Sequence, residues 1–281
     1  MTAGPVLVFG ATGTQGGAVA RELLARQVPV QALVRHPESA RAKALAMQGA
    51  QLIVGDLGDE RSLRAALSAA PVAYAITTPF EEGPDAEVRQ GEAIIRAACA
   101  AGLPWLILAS VAAAGHAEVP HFQSKARIEA ALRAAPIPWT VVAPSYFYEN
   151  VLGSREAILG GALPLPLPLQ KPLEQVALRD LGAVVAAILD RRDEHLSTRV
   201  EIAGDAPTPR EMASALGVRA VQTPLAELRE RSPDLAAMYA FLAEVGYAID
   251  IAALRARYPE VSWTSFATWA ANVTWAVDPA P

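Results

Sequence analysis

The residues of this chain whose types and spacing could do chemistry begin at its tenth position. An apolar run, Val6-Leu-Val-Phe9, breaks into Gly10-Ala-Thr-Gly13-Thr-Gln-Gly16, and a helical pattern follows. That order builds a seat for the phosphates of a dinucleotide. Gly10 permits the tight turn at the strand's end, Gly13 removes the side chain that would block a pyrophosphate, and Gly16 lets the helix pack closely on the strand. Thr12, Thr14 and Gln15 fill the rest of the turn. The unpaired N–H groups and positive end of a helix starting near Thr14 would face the anion. Glycines alone are a weak signal; the strand before them and the helix after them make it specific.

The next apolar run, Val28–Val34, closes on Arg35-His36-Pro37. A fold that binds NAD puts an acid at this point to hold the ribose hydroxyls, and that acid would repel a 2′-phosphate. Arg35 stands there instead, and a guanidinium grips phosphate with a charge-assisted fork. Thr12 and Arg35, with Arg41 or Lys43 on the following helix in support, therefore favour NADP(H) over NAD(H). The alternative reading of Arg35 is a solvated loop charge. Further candidates stand at later strand exits. Asp56-Leu57 offers a carboxylate and a backbone N–H to the amino edge of an adenine, or else forms a solvated turn. Thr77-Thr78-Pro79, just before Phe80, would run along a nicotinamide ribose. Ser110 could hydrogen-bond a substrate carbonyl or cap its own turn.

These residues need a scaffold that aligns strand ends, and the hydrophobic pattern supplies one. Helical runs at Ser39–Met47, Glu60–Ala69, Ala86–Ala100 and Lys125–Ala134 alternate with strand-like runs at Ala50–Asp56, Val72–Thr77, Trp105–Ser110 and Trp139–Ala143. Six strands before residue 145, joined by helices, imply right-handed βαβ crossovers. The expected class is α/β, a Rossmann-type doubly wound parallel sheet with ligands at the carboxyl ends of its strands.

Beyond Pro144 the pattern changes. Gly160–Leu169 alternates prolines that cannot donate to a sheet ladder, so it reads as an extended loop or edge segment, a lid or domain crossover. Arg179–Asp190 is helical and Thr198–Ala203 a short strand, both returning to the first domain. From Pro207 the chain is mostly helical, with Thr208, Pro209 and Glu211 placed as N-cap, helix-entry proline and early acid. Met238, Tyr239, Phe241 and Leu242 mark a helix seam, and Trp263, Phe266, Trp269 and Trp275 a packing series. The expected organisation is a nucleotide-binding domain over 1–150 with 176–203, and a smaller, mostly helical C-terminal domain for substrate or partner over 151–175 and 204–281.

Composition narrows the partners. With 281 residues and 52% hydrophobic content the chain can bury a large core. Its 24 basic and 29 acidic residues leave a net charge of −5 without a basic block, which argues against direct nucleic-acid binding. The single cysteine, Cys99, lies in an apolar helical stretch and reads as core; neither a disulfide nor a metal cluster is expected. No signal peptide and no bilayer-length apolar run is evident, so a cytoplasmic protein that does not enter membranes is the expectation.

The spacing Gly10-x-x-Gly13-x-x-Gly16 resembles the extended and atypical branches of the short-chain dehydrogenase/reductase superfamily. Five further segments make the chain resemble the NmrA-like family over residues 5 to 215. They are Val34-Arg-His-Pro37, Gly55-Asp-Leu57, His121-Phe-Gln-Ser-Lys-Ala-Arg-Ile-Glu129, Ala143-Pro-Ser-Tyr-Phe-Tyr-Glu-Asn150 and Gly204-Asp-Ala-Pro-Thr-Pro-Arg-Glu-Met212. The resemblance implies a Rossmann domain, a smaller C-terminal domain and NADP(H) as cofactor. Reductases of the wider superfamily use Tyr-x-x-x-Lys, four residues apart on one helix face. Here Lys125 stands and His121 takes the tyrosine's place.

The resemblance thus implies Lys125 as ligand of the cofactor ribose or of a substrate carbonyl, and His121 as a proton donor tunable near neutral pH. A lysine on the same helix face pulls such a histidine toward its neutral form. Ser110 completes the catalytic candidates. Tyr146 and Phe147, with Tyr148, would wall the nicotinamide and suit a flat small-molecule acceptor such as a quinone, or else serve domain packing. Two functions are implied: an NADPH-dependent reductase, or a non-catalytic NADP(H)-sensing regulator acting through a protein partner.

Overall fold

The structure is a computed structural model and describes residues 4–116 and 118–274; Trp275 of the packing series lies outside the described residues. The first half alternates without a break: β1 (Val6–Val8), α1 (Thr14–Ala25), β2 (Val30–Val34), α2 (Ala40–Met47), β3 (Gln51–Val54), α3 (Glu60–Ser68), β4 (Val72–Ala75), α4 (Pro84–Ala101), β5 (Leu106–Ala109), α5 (Pro120–Ala134) and β6 (Trp139–Pro144). An excursion follows through β7 (Tyr146–Phe147), a 3-10 stretch at Tyr148–Ser154, α6 (Arg155–Leu159), β8 (Ala162–Leu165) and β9 (Gln175–Val176). Then come α7 (Leu178–Asp190), α8 (Arg192–His195) and β10 (Thr198–Ile202). The remainder is α9 (Pro209–Ala215), β11 (Arg219–Gln222), α10 (Leu225–Arg231), α11 (Pro233–Glu244), α12 (Ile251–Arg257) and α13 (Phe266–Asn272).

Two compact units result. The first comprises the chain up to Pro144 together with Leu178–Ile202; the second comprises Ser145–Ala177 and the described residues from Ala203 onward. Tyr146 and Phe147 therefore fall in the second unit.

Among the described residues the first unit carries seven strands in the order β10-β6-β5-β4-β1-β2-β3, every neighbouring pair parallel. Strand order reverses between β1 and β4, which makes their carboxyl ends the topological switch point where open α/β sheets bind ligands. The core behind it is aliphatic: Leu7, Leu63, Leu67, Ile94, Leu106, Ile128 and Leu132 are all buried in one cluster with Phe9. On the same unit α1 lies against α7 so closely that a Cβ at Gly182 would stand 3.0 Å from the Ala18 carbonyl. Cys99 is half-buried and packs against the aliphatic cluster, and burial raises its thiol pKa.

The second unit has its own core, in which Tyr148, Ile158, Leu163, Leu165, Met212 and Phe266 pack together. Of the two readings of Gly160–Leu169, extended loop or edge segment, the structure has the edge segment. Ala162–Leu165 is a strand paired in parallel with β11, and its leucines point inward while Ala162 and Pro164 are half-exposed. A two-stranded sheet demands few ladder donors from β8, so the prolines cost little and the leucines are free to bury. β11 itself lies in a stretch whose sequence reads as helical. The capping box at α9 forms as its sequence demands. Thr208 Oγ1 accepts from Glu211 N–H at 3.2 Å while the Glu211 carboxylate accepts from Thr208 N–H at 2.8 Å, and these bonds hold the Glu211 carboxyl below its ordinary pKa.

Candidate functional site

The glycine turn is built by local geometry. Gly10 has φ +62°, the left-handed region that favours glycine, and its carbonyl accepts from Gly13 N–H at 2.9 Å. Gly13 is the N-cap of α1 in extended backbone, and no side chain caps the helix start. The first amides of α1 are thus left to bond whatever lies in front of them. A Cβ at Gly16 would sit 2.5 Å from the Gly10 carbonyl oxygen and 2.6 Å from that of Phe9, so helix and strand exit meet there only through glycine. Gln15 is turned inward, its Nε2 donating to the Tyr74 hydroxyl at 2.9 Å; it anchors the turn to β4. Burial pushes the Tyr74 pKa well up.

In front of this turn opens a cleft of about 280 Å³, lined by Thr12, Gly13 and Thr14, by Arg21 from α1, by Arg41 and Leu45 from α2, and by Gln48, which caps α2. Two guanidiniums lining the same cleft as a helix amino end make a site that fits a phosphorylated ligand such as a dinucleotide. Arg35 occupies the exit of β2, more than half exposed, with a nitrogen 3.8 Å from Glu81 Oε2. It is Arg41 that lines the cleft, while Lys43 pairs with Glu38 at 3.0 Å. Asp56 is exposed and its Oδ1 accepts Gly58 N–H at 2.7 Å, closing its own turn; Leu57 packs against the aliphatic core.

The exit of β4 is braced from beneath. Lys125 Nζ is buried and donates to the Thr77 carbonyl at 2.8 Å, to Thr77 Oγ1 at 3.2 Å and to Glu87 Oε1 at 2.8 Å, which engages all three ammonium protons. Glu87 is fully buried and also accepts from Thr77 Oγ1 at 3.0 Å and from the Ser124 hydroxyl. Thr78 Oγ1 accepts from Phe80 N–H at 3.4 Å, and Gly83 N–H closes on the Pro79 carbonyl at 2.9 Å. Ser110 donates its proton to Glu129 at 2.5 Å, and Arg199 grips that carboxylate at 3.1 and 3.2 Å while donating to the Val111 carbonyl. His121 is buried, edge-on to Phe122 with ring centroids 4.7 Å apart and tilted against Phe80 at 5.7 Å.

The first unit thus gathers the glycine turn, Thr77–Pro79, Lys125 and His121 at the sheet's carboxyl edge. Tyr146, in the second unit, is buried and shares a 2.7 Å hydrogen bond with the Tyr239 hydroxyl; burial raises both phenols, and Tyr247 nearby is raised in the same way. Phe147 is half-buried. Tyr148 donates to the Thr264 carbonyl at 2.9 Å and packs edge-on against Phe266, which makes it a core residue. Sequence reasoning missed Arg21 and Glu87. Both carried a signal: Arg21 follows Thr14 and Gly17 on one helix stripe, and Glu87 begins the buried stripe Gly91, Ile94, Ala98. Among the described residues no group of three metal-binding side chains occurs, and no helix is long and apolar enough to cross a membrane.

A doubly wound parallel sheet whose first strand exits into a glycine turn at the reversal of strand order defines a Rossmann-type dinucleotide-binding fold. The chain belongs to the NmrA-like family, whose model matches residues 2–256. It is 30% identical over 217 residues to an NAD(P)H azoreductase from Xenophilus azovorans, spanning 76% of this chain and 73% of that one. Two other relatives are matched over 52% and 62% of their lengths. Among solved structures, NADPH-dependent quinone oxidoreductase QOR2 of Escherichia coli, complexed with NADPH, superposes with a TM-score of 0.79 at 26% identity, covering 95% of this chain and 98% of QOR2. The negative transcriptional regulator NmrA in complex with NADP shares the fold with a TM-score of 0.80 at 18% identity, covering 97% of this chain and 96% of NmrA.

Proposed function

We propose that this chain binds NADP(H) at the glycine turn and acts as an NADPH-dependent reductase of a flat, electrophilic acceptor such as a quinone. One observation carries the reading: the uncapped amino end of α1 opens on a cleft that is also lined by Arg21, two turns along the same helix, and by Arg41 of α2. The reduced nicotinamide supplies the hydride. Gly13 leaves room for the pyrophosphate, the first amides of α1 hold it, and Arg41 with Arg21 and Arg35 grips the 2′-phosphate. Lys125 serves by position: its ammonium fixes the Thr77 carbonyl and so the course of Thr78-Pro79. A quinone accepts hydride without an obligatory protein acid when backbone N–H groups or solvent stabilise the oxyanion that develops. A histidine where the superfamily has tyrosine is compatible with that chemistry. The relatives that support the reading are the azoreductase and QOR2.

The engagement of Lys125 and Ser110 within the protein favours a second reading, a regulator in which the two redox forms bind with different affinity and shift a partner-binding conformation. Calorimetric titration with NADPH, NADP+, NADH and NAD+, followed by a quinone panel with the reduced form that binds, separates the two. Tight NADPH binding with acceptor-dependent loss of its absorbance is the expected result. Tight binding, unequal between redox forms and without turnover, selects the regulator; weak binding of all four dinucleotides refutes both.

A further inference from the structure

Phe80 is 68% exposed, and it is the aromatic member of the large hydrophobic side chains left exposed among the described residues. Its exposure is held in place. The turn that carries it is fixed at its root by Lys125 on the Thr77 carbonyl, at its middle by Phe80 N–H on Thr78 Oγ1, and at its end by Gly83 N–H on the Pro79 carbonyl. A loose loop would fold such a ring against apolar surface; this turn presents it to solvent. The turn leaves β4 beside β1, so Phe80 stands on the sheet edge that carries the glycine turn. The His121 ring lies 5.7 Å away, tilted by 52°, and continues into Phe122 at 4.7 Å. The result is an aromatic row that runs from the core to the surface and ends in a free ring face.

Resting on the reductase reading, we propose that Phe80, backed by His121, is the stacking platform for the acceptor, and that the acceptor class is planar and conjugated with at least two fused or linked rings. Aromatic faces attract such molecules in offset or tilted stacks, and a ring already fixed in position loses little entropy on binding. In this arrangement His121 sets the angle of the platform through its ring.

The test compares wild type with Phe80→Ala and Phe80→Trp, using 1,4-naphthoquinone and the single-ring 1,4-benzoquinone as acceptors. Phe80→Ala is expected to raise KM for naphthoquinone about three- to tenfold, the range one ring stack supplies. The shift for benzoquinone should be smaller, with the dissociation constant for NADPH unchanged, and Phe80→Trp should restore KM. Naphthoquinone binding to the NADP+-loaded protein, read by calorimetry, should weaken in parallel. Equal KM and binding in wild type and Phe80→Ala overturns the platform while leaving the reductase reading intact. A wild type that turns over no acceptor refutes the reductase reading. The binding measurement then still judges the platform: naphthoquinone bound by wild type and released by Phe80→Ala sustains it, and no binding overturns it.

Discussion

Two glycines of one turn should fail in opposite ways when substituted, because the structure gives them different reasons to be glycine. A Cβ at Gly16 meets two backbone oxygens at 2.5 and 2.6 Å, whereas ordinary contact begins near 3.4 Å, so the α1 start and the β1 exit must part by about 0.9 Å. Backbone cannot rotate aside. Overpacking of this kind costs about 1–3 kcal/mol. Replacing a helical glycine by alanine returns only ~0.5–1 kcal/mol, so the clash wins. Gly16→Ala should therefore lower the melting temperature, by roughly 2–4 °C per kcal/mol for a chain of this size. At Gly13 the backbone is extended at φ −89°, which any residue adopts, and a Cβ would be 3.2 Å from the Gly10 carbonyl oxygen, a tight contact that a shift of a few tenths of an ångström relieves. Gly13→Val should melt close to wild type yet lose NADPH binding, since its side chain fills the space before the helix amino end. Differential scanning calorimetry and titration with NADPH measure the two effects on the same samples. If Gly13→Val binds NADPH as wild type does, the turn is not the pyrophosphate seat and the argument fails at its root.

Further outcomes follow from the same geometry. Lys125→Met leaves the buried Glu87 carboxylate without its counter-ion and should cost about 3–5 kcal/mol in denaturant unfolding, while Lys125→Met with Glu87→Leu should recover much of it; additive losses would contradict the pairing. Arg41→Ala should weaken NADPH by about 1.5–3 kcal/mol, tenfold or more, and NADH much less, with Arg35→Ala the milder change; an equal loss for both dinucleotides would remove the 2′-phosphate from Arg41. Burial raises the phenols of Tyr146, Tyr239 and Tyr247 above the ordinary tyrosine value of 10.0, so the folded state holds these protons more tightly than the unfolded one. Their contribution to stability is complete below pH 10 and is lost as pH rises beyond it. Tyrosinate absorbance should appear together with unfolding in an alkaline titration; ionisation of these tyrosines near pH 10 with the fold intact would show that they are not buried.

The parallel sheet was legible because β1 to β6 are short apolar runs whose boundaries the structure moves by a residue or two. What escaped had physical causes. α5 begins at Pro120, one residue before the His121–Lys125 segment that the motif places at the opening of a helix, although the apolar periodicity alone starts only at Lys125. β11, Arg-Ala-Val-Gln, is four residues with both ends exposed, too short for periodicity to register. The glycine turn is a local object and declared itself. The brace at Thr77 is not, since it joins Lys125 on α5 to Glu87 on α4 across 38 positions of chain, and only helix packing brings them together. The motif marks Lys125 as a ligand of ribose or carbonyl, and its contacts with Thr77 and Glu87 are what the motif does not announce.

The last strand of the first unit has a consequence for how the protein is made. β10 pairs with β6 in the register Thr198↔Thr140 through Ile202↔Pro144, yet the ribosome must synthesise the whole excursion through β9 before β10 exists. Until then a nascent chain with six finished strands carries β6 as a bare, apolar edge, the kind of surface that recruits other chains. Expression yield and the need for chaperones should depend on translation speed across residues 145–202.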